Sequence, residues 1–202
     1  MSLSRAPRRT LLAAGAGALA AALTLSACSG DSNGKSGGGG DTNFVTSTGG
    51  ISTAAKGKRV AAPELSGKDL QGKPLDLADY KGKIVVMNVW GSWCTPCRSE
   101  AKYLEKVAKD TKAQGVEFVG INTRDTQTAP ARAFEQEFGV SYPSFHDPIG
   151  KLILKFPKGS LNPQAIPTTL VIDREGKIAA RALRPLDDKM LRSMVDPLIA
   201  EK

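Results

Sequence analysis

The chain is poor in the residues that staple or metallate small proteins. It has 3 cysteines and 1 histidine in 202 residues. Three cysteines are too few for a disulfide-stapled miniprotein. With a single histidine, a tetrahedral zinc site would have to recruit carboxylates. Aromatic residues make up only 5% of the chain, so large apolar side chains are scarce. No apolar run reaches the ~20 residues of a comfortable membrane span. No five-residue block is basic, and no motif interleaves aromatics with basic residues, so nucleic acid is not expected as a partner. Glycine is plentiful at 21, but the excess is local. These features exclude collagen-like, mucin-like and multi-span membrane classes. What remains, 41% hydrophobic and 24% charged residues, fits one globular domain with extensions rather than a disordered chain.

The net charge is +8, and Arg5, Arg8 and Arg9 supply three of those charges before any acidic residue occurs. Beyond Cys28 the chain keeps 25 basic and 20 acidic groups, a scattered surplus that favours an anionic membrane surface. The three arginines precede an Ala/Leu-rich run from Leu11 to Leu25, followed by Leu25-Ser26-Ala27-Cys28. This resembles a bacterial lipoprotein signal, so residues 1–27 are expected to be removed. Cys28 would then carry acyl chains, with palmitate as a typical component. Each buried CH₂ adds ~0.8 kcal/mol of membrane affinity. Arg8-Arg9 before Thr10-Leu11-Leu12 also resembles a twin-arginine export signal, and the choice of export route stays open. Residues 28–59, with four consecutive glycines from Gly37 to Gly40, read as a flexible tether. Its r.m.s. span would be ~30 Å.

Residues 60–202 are expected to form one α/β domain. Gly67, Gly72 and Pro74 punctuate an N-terminal hairpin. Ile84 to Trp90 is a near-continuous apolar, β-branched run, which predicts a buried strand with Trp90 in the core. Glu100 to Ala113 has helical spacing and Gly115 ends it. Val116 to Ile121 predicts a second buried strand, Pro130 to Phe138 a helix stopped by Gly139, and Pro143 to His146 an extended piece. Gly150 to Phe156 reads as a short helix. Thr168 to Asp173 and Lys177 to Ala182 read as strands joined by a turn, and Asp187 to Ala200 as a last helix. The order predicts a mixed sheet covered on both faces, with parallel crossovers first and an antiparallel pair last.

Trp93-Cys94-Thr95-Pro96-Cys97-Arg98 lies between the first core strand and the first long helix. Two thiols so spaced on a helical first turn can form a reversible disulfide. The unpaired N–H groups and the dipole of the helix N-terminus favour a thiolate at Cys94, the attacking sulfur. Cys97, one turn in, would resolve the mixed disulfide. Pro96 fits an early helical position, where its missing N–H costs nothing. Covalent haem attachment would need a histidine where Arg98 stands. A purely structural disulfide here would close a tiny loop and add little stability. Redox chemistry is therefore the favoured reading.

"VVMNVWGSWCTPCR", Val85 to Arg98, resembles the active-site segment of the thioredoxin superfamily. The lipoprotein-like start, Asn88 and Glu100 are similar to its extracytoplasmic TlpA/ResA-like branch. "IPTTLVID", Ile166 to Asp173, resembles the superfamily's cis-proline segment. The resemblance implies a thioredoxin-like fold, a central mixed sheet with helices on both faces, an N-terminal hairpin and an αβ insertion. It implies that Pro167 is the cis-proline and that Ile166 presents its backbone to an extended substrate peptide. Trp93, Thr95 and Pro96 would complete the substrate groove. Glu100, three residues beyond Cys97 on the same helical face, is a candidate to take the Cys97 proton, because Asn88 in the preceding strand cannot titrate.

The expected activity is that of an extracytoplasmic, lipid-anchored thiol–disulfide oxidoreductase. The resemblance implies that it reduces disulfides in exported proteins such as apocytochrome c and that an integral membrane dithiol protein reduces it in turn. No cofactor or metal is expected. The main rival is a copper carrier of the same fold using Cys94, Cys97 and His146. A thiol peroxidase is a weaker reading, because Ser92-Trp93 does not place a threonine shortly before Cys94.

Overall fold

The structure is a computed structural model and describes residues 42–47 and 49–201. The expected signal peptide, Cys28 and most of the expected tether lie outside the described residues. The elements in chain order are β1 (Val45–Thr46), β2 (Ile51–Thr53), β3 (Val60–Ala61), β4 (Ser66–Lys68), β5 (Pro74–Asp76), β6 (Ile84–Trp90), α1 (Thr95–Thr111), β7 (Val116–Thr123), α2 (Thr128–Phe138), β8 (Ser144–Asp147), β9 (Thr168–Ile172), β10 (Lys177–Ala182) and α3 (Asp188–Ala200). The main sheet runs β1-β2-β10-β9-β6-β7-β8, with β3 also on β10, and β4–β5 form a separate hairpin. β6, β7 and β8 are parallel, whereas β9 is antiparallel to both β6 and β10. The mixed sheet and the early hairpin are as the sequence predicts.

β6 is buried along all 7 residues because both of its faces are covered. Alternation along it sorts the core into two halves. Ile84 and Val86 pack with Leu104 and Val107 of α1 and with Leu191, Met194 and Val195 of α3. Trp90, further along the same side, packs with Cys97 and Ala101 of α1 and with Ala131 and Phe134 of α2. Val85, Met87 and Val89 point the other way, towards Phe44, Leu65, Leu75, Phe145, Ile153 and Phe156.

Each face is covered, but by different material. Among the described residues the three α-helices share one face, with a 3₁₀ helix on the other. The crossovers β6-α1-β7 and β7-α2-β8 step in the same direction across the sheet, and right-handed crossovers then place both helices on one side. The expected helix from Gly150 to Phe156 is a 3₁₀ turn, Ile153–Lys155. It packs on the other face together with the β4–β5 hairpin.

The folded part also begins earlier than residue 60. Val45–Thr46 and Ile51–Thr53 pair with each other, and the second extends the sheet along β10. Phe44 and Ala54 are buried in the core. The apolar signal here is only Phe44, Val45 and Ile51 amid glycine, serine and threonine, too sparse to show a period. Edge pairing on β10 supplies the order that local sequence does not.

Candidate active site

The end of β6 and the start of α1 set the two cysteines. Gly91 and Ser92 turn the chain out of the strand. A side chain at Gly91 would collide with the Trp93 indole, 2.5 Å from its Nε1, so only glycine lets that ring fold back. Cys94 is the N-cap of α1, with Thr95 and Pro96 opening the first turn. The helix thus begins five residues before the periodic apolar pattern does. Its cap is a sulfur: the Cys97 N–H donates to Cys94 Sγ at 3.2 Å. Cys94 and Cys97 form a disulfide with an S–S distance of 2.02 Å and a Cα–Cα distance of 5.3 Å.

Both cysteines are buried, at 3% and 1% exposure, so burial alone hardly separates them. Their surroundings differ more. Thr95 and Pro96 are exposed, and Trp93 beside Cys94 is 48% exposed. Cys94 Sγ lies 3.8 Å from the Ile166 carbonyl oxygen. The Ile166–Pro167 peptide bond is cis. Cys97 borders Asn88, Trp90, Ala101 and Phe134 in the interior. The structure thereby brings Trp93, Cys94, Cys97, Ile166 and Pro167 together, although Ile166 is 72 residues beyond Cys94.

Glu100 is buried at 1% exposure, one turn beyond Cys97 on α1. Asn88 Nδ2 donates to its Oε1 at 3.0 Å, and the Leu186 N–H donates to its Oε2 at 2.9 Å. Asn88 Nδ2 also donates to Thr169 Oγ1 at 3.1 Å. Burial pushes the Glu100 carboxyl up to about 7, against the pull of its two hydrogen bonds. It is poised to hold or release a proton near neutral pH.

His146 sits on β8, where its Nε2–H donates to the Asp125 backbone carbonyl at 2.9 Å. Among the described residues no group of three or more His, Cys, Asp or Glu side chains is placed to hold a metal ion. The copper reading therefore has no preformed donor set.

Sequence reasoning missed the turn that follows β7. Asp125 is buried and accepts the Ser92 N–H at 2.8 Å, the Ser92 hydroxyl at 2.6 Å and Asn122 Nδ2 at 2.7 Å. The Trp93 indole N–H donates to the Thr123 carbonyl at 3.3 Å. Nothing in the local sequence marks this turn. Its signal is the register of β7 against β6, which pairs Trp90 with Asn122.

Comparison with known proteins agrees with this geometry. The AhpC/TSA family model matches residues 59–181. The thiol-disulfide oxidoreductase ResA of Bacillus thuringiensis (strain Al Hakam) is 34% identical over 122 residues, covering 60% of this chain and 67% of that protein. A secreted thiol-disulfide isomerase from Corynebacterium glutamicum is similar in structure, with a TM-score of 0.72 and 31% identity over 81% of this chain and 100% of that one. A DsbF homologue from Corynebacterium diphtheriae has a TM-score of 0.69 and 36% identity, covering 76% and 98%. The chain belongs to the AhpC/TSA family, within the thioredoxin superfamily, and is a thiol–disulfide oxidoreductase similar to ResA.

Proposed function

We propose that the protein is a lipid-anchored reductase of disulfides in exported proteins, working on the extracytoplasmic face of the cell membrane. The observation that carries this reading is the Cys94–Cys97 pair at the cap of α1, with Cys94 Sγ 3.8 Å from the carbonyl of Ile166. An extended peptide can pair with that backbone edge while its disulfide meets Cys94. The Cys94 thiolate attacks one substrate sulfur, forms the mixed disulfide and releases one substrate thiolate. Cys97 gives its proton to the Glu100 carboxylate and attacks Cys94 Sγ. The second substrate thiolate leaves, and the substrate has gained two electrons. The protein is left with the Cys94–Cys97 disulfide present in this structure. A membrane dithiol donor then returns two electrons.

The secreted relative from Corynebacterium glutamicum supports an extracytoplasmic site of action. The lipoprotein-like stretch ending at Cys28 supports the anchor. The resemblance to the TlpA/ResA-like branch makes apocytochrome c a candidate substrate. The test of direction is the reduction potential of the Cys94/Cys97 couple, by equilibration with dithiothreitol. A value near the thioredoxin end, about −270 mV, is expected for a reductant. A value near −120 mV would reverse the flow and make the protein a source of disulfides.

A further inference from the structure

The structure assigns a role to Arg124, which belongs to no part of the dithiol chemistry. We propose that it is a positioning residue that sets the substrate groove by holding Trp93 against the loop leading to the cis-proline.

Arg124 follows the last residue of β7 and has φ +61°, in the left-handed region that non-glycine residues rarely adopt. Its side chain is exposed, so burial of that side chain does not account for the strained backbone. The conformation aims the guanidinium at two walls of the site. It lies over the Trp93 ring, 5.6 Å from the centroid, and Nη2 donates to the Pro163 carbonyl at 2.7 Å. Trp93 is the exposed residue next to Cys94, and Pro163 is four residues before the cis-proline.

The neighbouring residues act in the same direction. Asp125 holds Ser92 and the Thr123 carbonyl holds the Trp93 indole N–H, so the turn fixes the dithiol side of the groove. Arg181 donates to the Gly159 carbonyl and fixes the far end of the Pro157–Pro167 stretch. Among the described residues, the Arg124 bond to the Pro163 carbonyl is the side-chain link from the 122–125 turn to this stretch. An extended peptide needs both walls at a set spacing, and preorganising them lowers the cost of ordering the groove at the encounter. A small disulfide touches only the sulfur.

The inference rests on the peptide-groove reading given above. It is tested in a Cys97→Ser background, where reduced Cys94 forms a stable mixed disulfide whichever way electrons flow in the cell. Second-order rates are measured with insulin and with bis(hydroxyethyl) disulfide. Insulin capture by the Arg124 protein tests the groove reading itself. The ratio of the two rates across Arg124 variants tests the positioning role. Arg124→Ala is expected to lower the insulin-to-small-disulfide ratio about five- to twenty-fold. Arg124→Lys, which keeps a donor and a charge without the planar stack, should recover part of it. Arg124→Gly relieves the backbone and should match Arg124→Ala. A ratio within twofold of the parent in Arg124→Ala, or a full ratio in Arg124→Gly, overturns the proposal.

Discussion

A carboxyl group with no cationic partner in the described structure rarely stays fully buried, yet Glu100 does so on two donated hydrogen bonds. Its pKa, about 7 against an ordinary 4.5, ties stability and reaction to pH. The folded chain holds a proton that the unfolded chain has already released. The stability this contributes is complete below pH 4.5 and is lost as pH rises through about 7. Glu100→Gln is therefore expected to flatten that slope, read as denaturant midpoints across the same range. The reaction runs the opposite way, because only the carboxylate can accept the Cys97 proton. Resolution of a mixed disulfide should quicken as pH rises through about 7. In Glu100→Gln it should slow about 10²-fold near neutral pH and lose that inflection, as stopped-flow release of a trapped substrate would show. Cys94→Ser should abolish insulin reduction outright, because a serine hydroxyl can cap the helix but cannot supply the thiolate that attacks a disulfide.

At the scale of elements, two short pieces carry more than their length suggests. The β1–β2 hairpin brings Phe44 into the core, where its ring also lies 4.7 Å from the Arg181 guanidinium. Phe44→Ala is expected to cost about 3 kcal/mol in chemical denaturation, and a chain beginning at residue 60 should melt well below one beginning at residue 42. The second piece is the start of α3. Asp187 caps it by accepting the Met190 N–H at 2.7 Å, directly after the Leu186 N–H that holds Glu100. Asp187→Ala should cost about 1 kcal/mol. Loosening the Leu186 donor should also raise the Glu100 pKa, visible as an alkaline shift in the resolution profile.

Across the whole molecule, the described C-terminal end is tied to the start of the expected domain. Arg59 pairs with Asp173 at 2.9 Å and with Glu201 at 2.5 Å, and Arg174 donates to the carbonyls of Leu198 and Glu201. Arg59→Ala leaves the largely buried Asp173 without its cation and should lower stability by about 2 kcal/mol, measured by thermal melting. This clamp borders a cleft at Ile172–Gly176, at the far end of β6 and β9 from the cysteines. It is expected to affect stability and leave the dithiol chemistry alone.

Whereas the cis-proline was legible only through the resemblance to the thioredoxin superfamily, the sequence by itself determined the buried strands, the order of most elements and the dithiol. Each is local: an apolar run, a period, a cap or a short motif, with its physics contained in a few adjacent residues. Tertiary structure alone decided which face each helix covers, because that follows from the direction of successive crossovers. It alone recruited Val45–Thr46 and Ile51–Thr53 to the sheet, because edge hydrogen bonds on β10 replace an apolar pattern that is absent locally. It alone placed Asp125 and Arg124 beside Ser92 and Trp93, through the parallel register of β6 and β7. The chemistry of the sulfurs is written in the motif. The groove around them depends on contacts between residues tens of positions apart, and sequence spacing carries no record of those distances.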